Sequence, residues 1–251
     1  MRTPLPSHLG ALREGFTLLR RHPVLALALA LLAMGLAQLG PALELAAGAG
    51  PNPLLQPILG FAGLLPLEMY FIPRLQAQLD AEGLNAPSNP AQQWHETFDG
   101  RWLRTFLARL GLSIAIGLGI LVFVVPGVLI MTVFGWAPLR MLLRGDGLLP
   151  ALKWSQAAMA RHWPRIVQAV LAMMLVGLVY LFGVTWAVGH FLPTLDPDQI
   201  PPAMLRLKHP AFWISNLTTG LLNLWFSCTL LALYQRLEAL VQPGQKVDSE
   251  A

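Results

Sequence analysis

Long apolar runs, separated by short segments that carry nearly all of the charge, dominate this chain. Six runs read as helices, over residues 24–43, 54–72, 106–125, 127–143, 166–191 and 211–234. Each is near the ~20 residues an α-helix needs to cross ~30 Å of hydrocarbon. The pattern predicts an all-α fold: a polytopic membrane helical bundle in a single integral membrane domain. Its six transmembrane helices are expected as three hairpins, with amphipathic interfacial helices on the cytoplasmic side.

The third and fourth runs need a decision. Thirty uncharged residues separate Arg109 from Arg140, too many for one span and few for two. Pro126-Gly127 sits near the middle, where a tight turn would be placed. Arg109 and Arg140 can snorkel toward the headgroups and lengthen each arm. The rival is one long helix kinked at Pro126. Loop charge favours the hairpin. With six spans and a cytoplasmic N-terminus, fifteen of the seventeen Lys and Arg residues fall inside, and only Arg206 and Lys208 lie outside. A single kinked span would move Arg140, Arg144, Lys153, Arg161 and Arg165 outside, against the positive-inside rule. Both termini are therefore expected in the cytoplasm.

Composition agrees with a membrane solvent. Of the 251 residues, 55% are hydrophobic and 12% charged. Soluble domains carry roughly 25% charged residues, so half that fraction cannot coat a globule of this size. Disorder is excluded for the opposite reason, since it needs low hydrophobicity and high charge. The net charge of +4 reflects topology rather than nucleic-acid binding, because the basic residues flank the apolar runs. Cys228 is the single cysteine, so no intrachain disulfide forms; it reads as a small buried or lipid-facing hydrophobe. Ala47-Gly48-Ala49 resembles a signal cleavage site, but the preceding charged region is too long for a signal peptide, and the first run is expected to be retained.

An internal echo suggests repetition. Leu9-Gly-Ala-Leu-Arg13, followed by Arg21-His22-Pro23 and an apolar run, matches Leu149-Pro-Ala-Leu-Lys153, followed by Arg161-His162-Trp163-Pro164 and an apolar run. The offset is 140 residues, with Trp163 read as an insertion. Residues 94–109 form a third such flank. Parallel repeats of this kind occur in transport folds; the alternative is that juxtamembrane segments converge on Arg-His-Pro. The flanking segments 11–19 and 151–163 mix apolar and basic residues at helical spacing. Arg13, Arg20, Arg21, Lys153, Arg161 and Arg165 are thus candidate contacts to anionic lipid headgroups, and Trp154 and Trp163 suit that depth.

Polar residues inside the runs are the candidate intramembrane site. Glu68 is either a near-interface carboxylate paired with Arg74 or a proton or cation site. Asn216, Gly220, Asn223 and Ser227 share one face of the sixth run, as interhelical glue or as the lining of a polar cavity. Gly111, Ala115 and Gly119 form a small-residue packing face on the third.

Motifs for catalysis are missing. The six histidines include no His-Glu-x-x-His and no helical i, i+4 pair, so a metal is not expected. No Gly-x-Ser-x-Gly, P-loop or dinucleotide fingerprint is present, and no cofactor is implied. Asp99-Gly100 is a turn.

Four short motifs remain: Gly-Phe-x-Leu-x-Arg-Arg at 15–21, Val-Pro-Gly-Val at 125–128, Ala-Pro-Leu at 137–139 and Ala-Leu-x-x-Ser at 151–155. On these, from about Gly10 to Tyr234, the chain resembles the YciC-like bacterial inner-membrane proteins, related to the membrane domain fused to some glycerophosphodiester phosphodiesterases. The resemblance implies six spans and an envelope-associated role. It carries over no catalytic residue, and the chain has no room for a soluble phosphodiesterase domain.

The expected function is a membrane protein without catalytic activity, an envelope- or lipid-associated scaffold or accessory protein. Its partners would be anionic lipids, a second copy of the chain or an envelope protein, with no nucleic acid. The alternative is a small transporter or channel-like permease using Glu68 and the Asn216/Asn223 stripe.

Overall fold

A computed structural model describes residues 8–48, 69–73, 75–76, 101–122, 124–191 and 207–241. Every extended element among them is an α-helix: α1 (His8–Arg21), α2 (Pro23–Ala46), α3 (Arg101–Val122), α4 (Val124–Phe134), α5 (Ala137–Arg144), α6 (Leu148–Phe191) and α7 (Pro210–Val241). Residues 69–73 and 75–76 are also helical. Among the described residues, four stretches are long and apolar enough to cross a membrane: Pro23–Ala46, Val125–Arg144, His162–Ala187 and Pro210–Val241. A protein with these helices is a membrane protein.

The described residues fall into two compact units. The first draws on Met1–Phe16, Met69–Met173 and Ser227–Ala251, the second on Thr17–Glu68 and Met174–Phe226.

In the first unit α3 and α4 run antiparallel. A Cβ added to Gly119 would lie 2.8 Å from the Cα of Gly127. Eight residues along one continuous helix would separate these positions by about 12 Å, so the chain reverses between them. The same pairing continues away from the turn: Leu112 and Ile116 share a cavity wall with Met131 and Gly135. The turn does not fall at Pro126-Gly127 as the dipeptide suggests. α3 ends at Val122 and α4 starts at Val124. Pro126 therefore occupies the first turn of α4, where a missing N–H breaks no helical hydrogen bond. Gly127 serves instead to let the two backbones meet.

The expected fourth run, 127–143, is two helices broken at Gly135-Trp136. A chain end inside hydrocarbon must satisfy its last carbonyls, and three are accounted for here. Met131 O accepts from the Gly135 N–H at 2.9 Å. Thr132 O accepts from the buried Trp136 indole at 3.1 Å, and Val133 O from the Ser155 hydroxyl of α6 at 2.5 Å. A Cβ at 135 would collide with Met131 O, which reserves that position for glycine. α5 ends at Gly145, left-handed at φ 71°, whose N–H returns to Met141 O at 3.0 Å. Ala137, Met141 and Ala151 close over Ala108 and Leu152 beside it.

α6 departs from expectation. Segment 151–163 and run 166–191 were expected as an interfacial helix and a separate span. They form one helix of 44 residues with Pro164 inside it, about 66 Å long at 1.5 Å per residue.

The 140-residue echo extends to burial. Ala11, Gly15, Leu18, Ala26, Leu29, Ala30 and Ala33 are buried, and so are Ala151, Ser155, Ala158, Ile166, Ala169, Val170 and Met173. Helical phase is kept at a constant offset, so Trp163 is not an insertion: it stands where Pro23 stands. The consequence is local. Pro23 opens a new helix after His22, whereas Pro164, one residue further on, sits within a continuous one.

In the second unit α7 packs on α2. A Cβ at Gly220 would lie 3.3 Å from the Ala30 Cα and 3.4 Å from its Cβ, the close approach that small residues allow between helices. Tyr180 of α6 sets its hydroxyl among Thr218 Oγ1 at 2.6 Å, Thr219 Oγ1 at 2.9 Å and Ser215 O at 3.0 Å. Both threonine hydroxyls keep backbone acceptors of their own, Ile214 O and Ser215 O. Tyr180→Phe should therefore cost only about 0.6 kcal/mol, the mean for hydrogen bonds between membrane helices. Thermal unfolding of the purified protein in detergent checks this, with a midpoint lowered by no more than a few degrees.

Candidate functional site

The last two turns of α7 carry a charged knot in the first unit. Glu238 Oε1 accepts from Arg140 Nη1 and from Arg144 Nε, each at 2.7 Å. Its Oε2 accepts from Arg144 Nη2 at 2.8 Å, and the Tyr234 hydroxyl donates to Oε1 at 3.2 Å. Arg140 Nε donates to Asp146 Oδ2 at 2.7 Å. Its guanidinium also lies 5.0 Å from the centre of the Trp154 ring, within cation–π range, and that ring packs 5.2 Å from Tyr234. Side-chain exposure is 12% for Arg140 and 11% for Glu238, against 53% for Arg144.

Two guanidiniums face two carboxylates, so the knot is charge-balanced. Helical spacing assembles it: Arg140 and Arg144 lie one turn apart on α5, as do Tyr234 and Glu238 on α7, and residues four apart share a face. Two further contacts end on the same turns. Arg236 Nη2 donates to Glu14 Oε1 of α1 at 2.7 Å, and Gln235 Nε2 to Gln76 Oε1 at 2.8 Å. One helix end thus fastens α1, residue 76 and α5. Such an arrangement holds geometry.

Sequence reading missed this knot. The sixth run was ended at Tyr234, whereas α7 continues to Val241, which puts Glu238 on the helix rather than in a tail. Arg144 was counted only as topological charge, and Arg140 as topological charge and a snorkelling side chain. The available signal was the pair of four-residue spacings.

The residues singled out beforehand are dispersed. Glu68 lies outside the described residues. Asn216 and Asn223 are half-buried in the second unit; Asn223 has an interaction partner. Ser227 belongs to the first unit, is buried and also has one. None of the three lines the cavities of about 180, 440 and 340 Å³ described here. Cys228 is buried. Two polar residues of α2 went unnoticed: Gln38 and Glu44 are both buried in the second unit, and Gln38 Nε2 has no hydrogen-bond partner among the described residues. The only signal for them was polarity near the end of an apolar run.

Of the basic flank, Arg13, Arg20 and Arg21 on α1 and Lys153 and Arg165 on α6 are exposed. The Arg161 side chain lies outside the described residues. The same two helices expose large apolar side chains: Leu9 (67%), Phe16, Leu149 (70%) and Trp163 (57%). On α1 the inward face is Ala11, Leu12, Gly15 and Leu18. Gly15 meets the α7 backbone, where an added Cβ would lie 2.7 Å from both Cα and N of Thr229.

Among the described residues no three His, Cys, Asp or Glu side chains converge as metal ligands. No protein family, curated protein or solved structure matches this chain.

Proposed function

We propose that this chain is a multi-pass bacterial inner-membrane protein that gathers anionic phospholipid on its cytoplasmic surface, serving as a lipid-associated scaffold or accessory rather than an enzyme. In this reading it has six spans and both termini in the cytoplasm, and its ancestry lies with the YciC-like proteins. One observation carries the lipid reading: five basic side chains of α1 and α6 are exposed on helices that also expose Leu9, Phe16, Leu149 and Trp163. Basic and large apolar groups exposed together suit the headgroup boundary, where cations meet lipid phosphate and apolar groups enter the acyl layer. α6 is too long to lie flat while also crossing, so its first turns meet headgroups as a helix emerging from the bilayer. The antiparallel α3–α4 pair supports the six-span topology. The permease reading loses support, because Gly220, between Asn216 and Asn223 on their face, packs on Ala30.

The test uses the full chain in vesicles of phosphatidylcholine with increasing brominated phosphatidylglycerol, with tryptophan quenching as the readout. Each near-surface Lys or Arg contributes about 1 kcal/mol toward anionic lipid, roughly a fivefold preference per residue before screening. Wild-type protein should enrich the anionic lipid several-fold over the bulk fraction. Arg20→Glu/Arg21→Glu/Lys153→Glu should return it to the bulk fraction. Quenching that tracks bulk composition in the wild type would refute the reading.

A further inference from the structure

A second feature at the α5–α6 turn shares Asp146 with the knot but lies apart from the exposed basic faces. A cavity of about 440 Å³ opens between the start of α3 and the turn joining α5 to α6. Leu107, Ala108, Met141 and Leu148 give it apolar walls, and Arg104, Thr105 and Asp146 supply the polar side chains.

The chemistry of those three is specific. Arg104 is exposed and makes no ion pair among the described residues, so its guanidinium is available to a phosphate. Asp146 comes from a different element. One of its carboxylate oxygens, Oδ2, accepts from Arg140; a carboxylate has lone pairs beyond that single bond. Thr105 is 2% exposed, and its hydroxyl has no hydrogen-bond partner among the described residues. A buried hydroxyl without a partner is an exception that calls for an occupant. One cavity thus carries a cation, a carboxylate and an unspent hydroxyl above apolar walls.

We propose that this cavity holds a single phospholipid with a primary-ammonium headgroup, of the phosphatidylethanolamine type. Arg104 and Thr105 meet the phosphate, Asp146 accepts from the ammonium, and the glycerol end leaves along Leu107 and Leu148. A purely anionic headgroup would leave Asp146 facing negative charge. A choline headgroup has no N–H to donate to it. The site rests on the membrane-lipid reading above but differs from it in kind: it is one stoichiometric lipid selected by a zwitterionic pocket, not enrichment of anionic lipid at exposed faces.

Native mass spectrometry of the full-length protein in detergent tests it, with phosphatidylethanolamine, phosphatidylglycerol and phosphatidylcholine of matched chains as probes. The expected result is one retained phosphatidylethanolamine, favoured at least fivefold over each of the others. Arg104→Gln, at an exposed position that leaves the knot intact, should weaken it about tenfold. Asp146→Asn should erase the preference over phosphatidylglycerol while a lipid is still retained. Equal retention of all three lipids by the wild type, or no change in Arg104→Gln, would overturn the proposal. Displacement by free phosphoethanolamine at equal concentration would overturn it as well, by assigning the pocket to a soluble zwitterion. The α1/α6 charge-reversal variant separates the two readings: it should lose anionic enrichment yet keep its one phosphatidylethanolamine.

Discussion

Glu238→Ala should be the most damaging single substitution in the first unit, lowering stability by about 3–5 kcal/mol, the cost of removing one partner from a buried ion pair. The carboxylate accepts four hydrogen bonds, from Arg140, twice from Arg144 and from Tyr234. Without it Arg140, with a side chain 12% exposed, keeps only Asp146 and the Trp154 face. Arg144 is half exposed and can return to water, so its share of the loss is small. The position of the charge can be tested too. Glu238→Gln keeps the shape and one acceptor and should cost less than alanine. Arg144→Ala should cost well under 1 kcal/mol. Thermal unfolding of the purified protein in detergent ranks the three. A Glu238→Ala midpoint equal to wild type would mean that the knot contributes no net stability.

The second large effect is a wedge. Gly119→Ala should destabilise by about 1–3 kcal/mol, the range for overpacking a close contact, because its Cβ would meet the backbone of Gly127 at 2.8 Å. Backbone cannot rotate away as a long side chain can. Gly111 is the matched control on the same helix: a Cβ there meets nothing within 4 Å. Gly111→Ala should be neutral or stabilising by up to about 1 kcal/mol, since alanine is the better helix former. The two substitutions change the chemistry identically and differ only in what the methyl meets. Equal effects in both would contradict the antiparallel pairing of α3 and α4.

That pair also shows what the sequence could and could not reveal. The small-residue spacing Gly111–Ala115–Gly119 was visible, but of its two glycines only Gly119 meets another backbone, and periodicity alone cannot say where two helices touch. The apolar runs located α2 closely, and the start of α7 but not its end, because twenty apolar residues have few alternatives to a helix. They missed the break at Gly135-Trp136, since nothing in apolar character separates an interrupted helix from a whole one. Pro126 misled by one turn because proline fits the start of a helix as well as a loop. Pro164 lies at an exposed position inside one continuous helix, so the expected boundary between residues 163 and 166 does not occur. Glu238 escaped notice because hydropathy ended the last run at Tyr234 while the helix went on. The short motifs quoted for the family resemblance prove to mark packing: Gly15 on Thr229, Gly127 on Gly119, Ala137 against Ala151, and Ser155 on an open carbonyl. Residues at such positions are constrained by space and hydrogen bonding, so their presence says little about chemistry.

We propose that the exposed basic faces of α1 and α6 meet the cytoplasmic leaflet of a six-span protein. Single cysteines read it most directly. In a Cys228→Ser background, Lys153→Cys, Val122→Cys and Asp196→Cys are labelled in turn with a membrane-impermeant thiol reagent, in intact spheroplasts and in inverted vesicles. The expected result is that residue 153 reacts only in inverted vesicles, while 122 and 196 react only in spheroplasts. Reaction of residues 153 and 122 from the same side would contradict it, since the end of α3 and the basic face of α6 could not then lie on opposite sides of the bilayer.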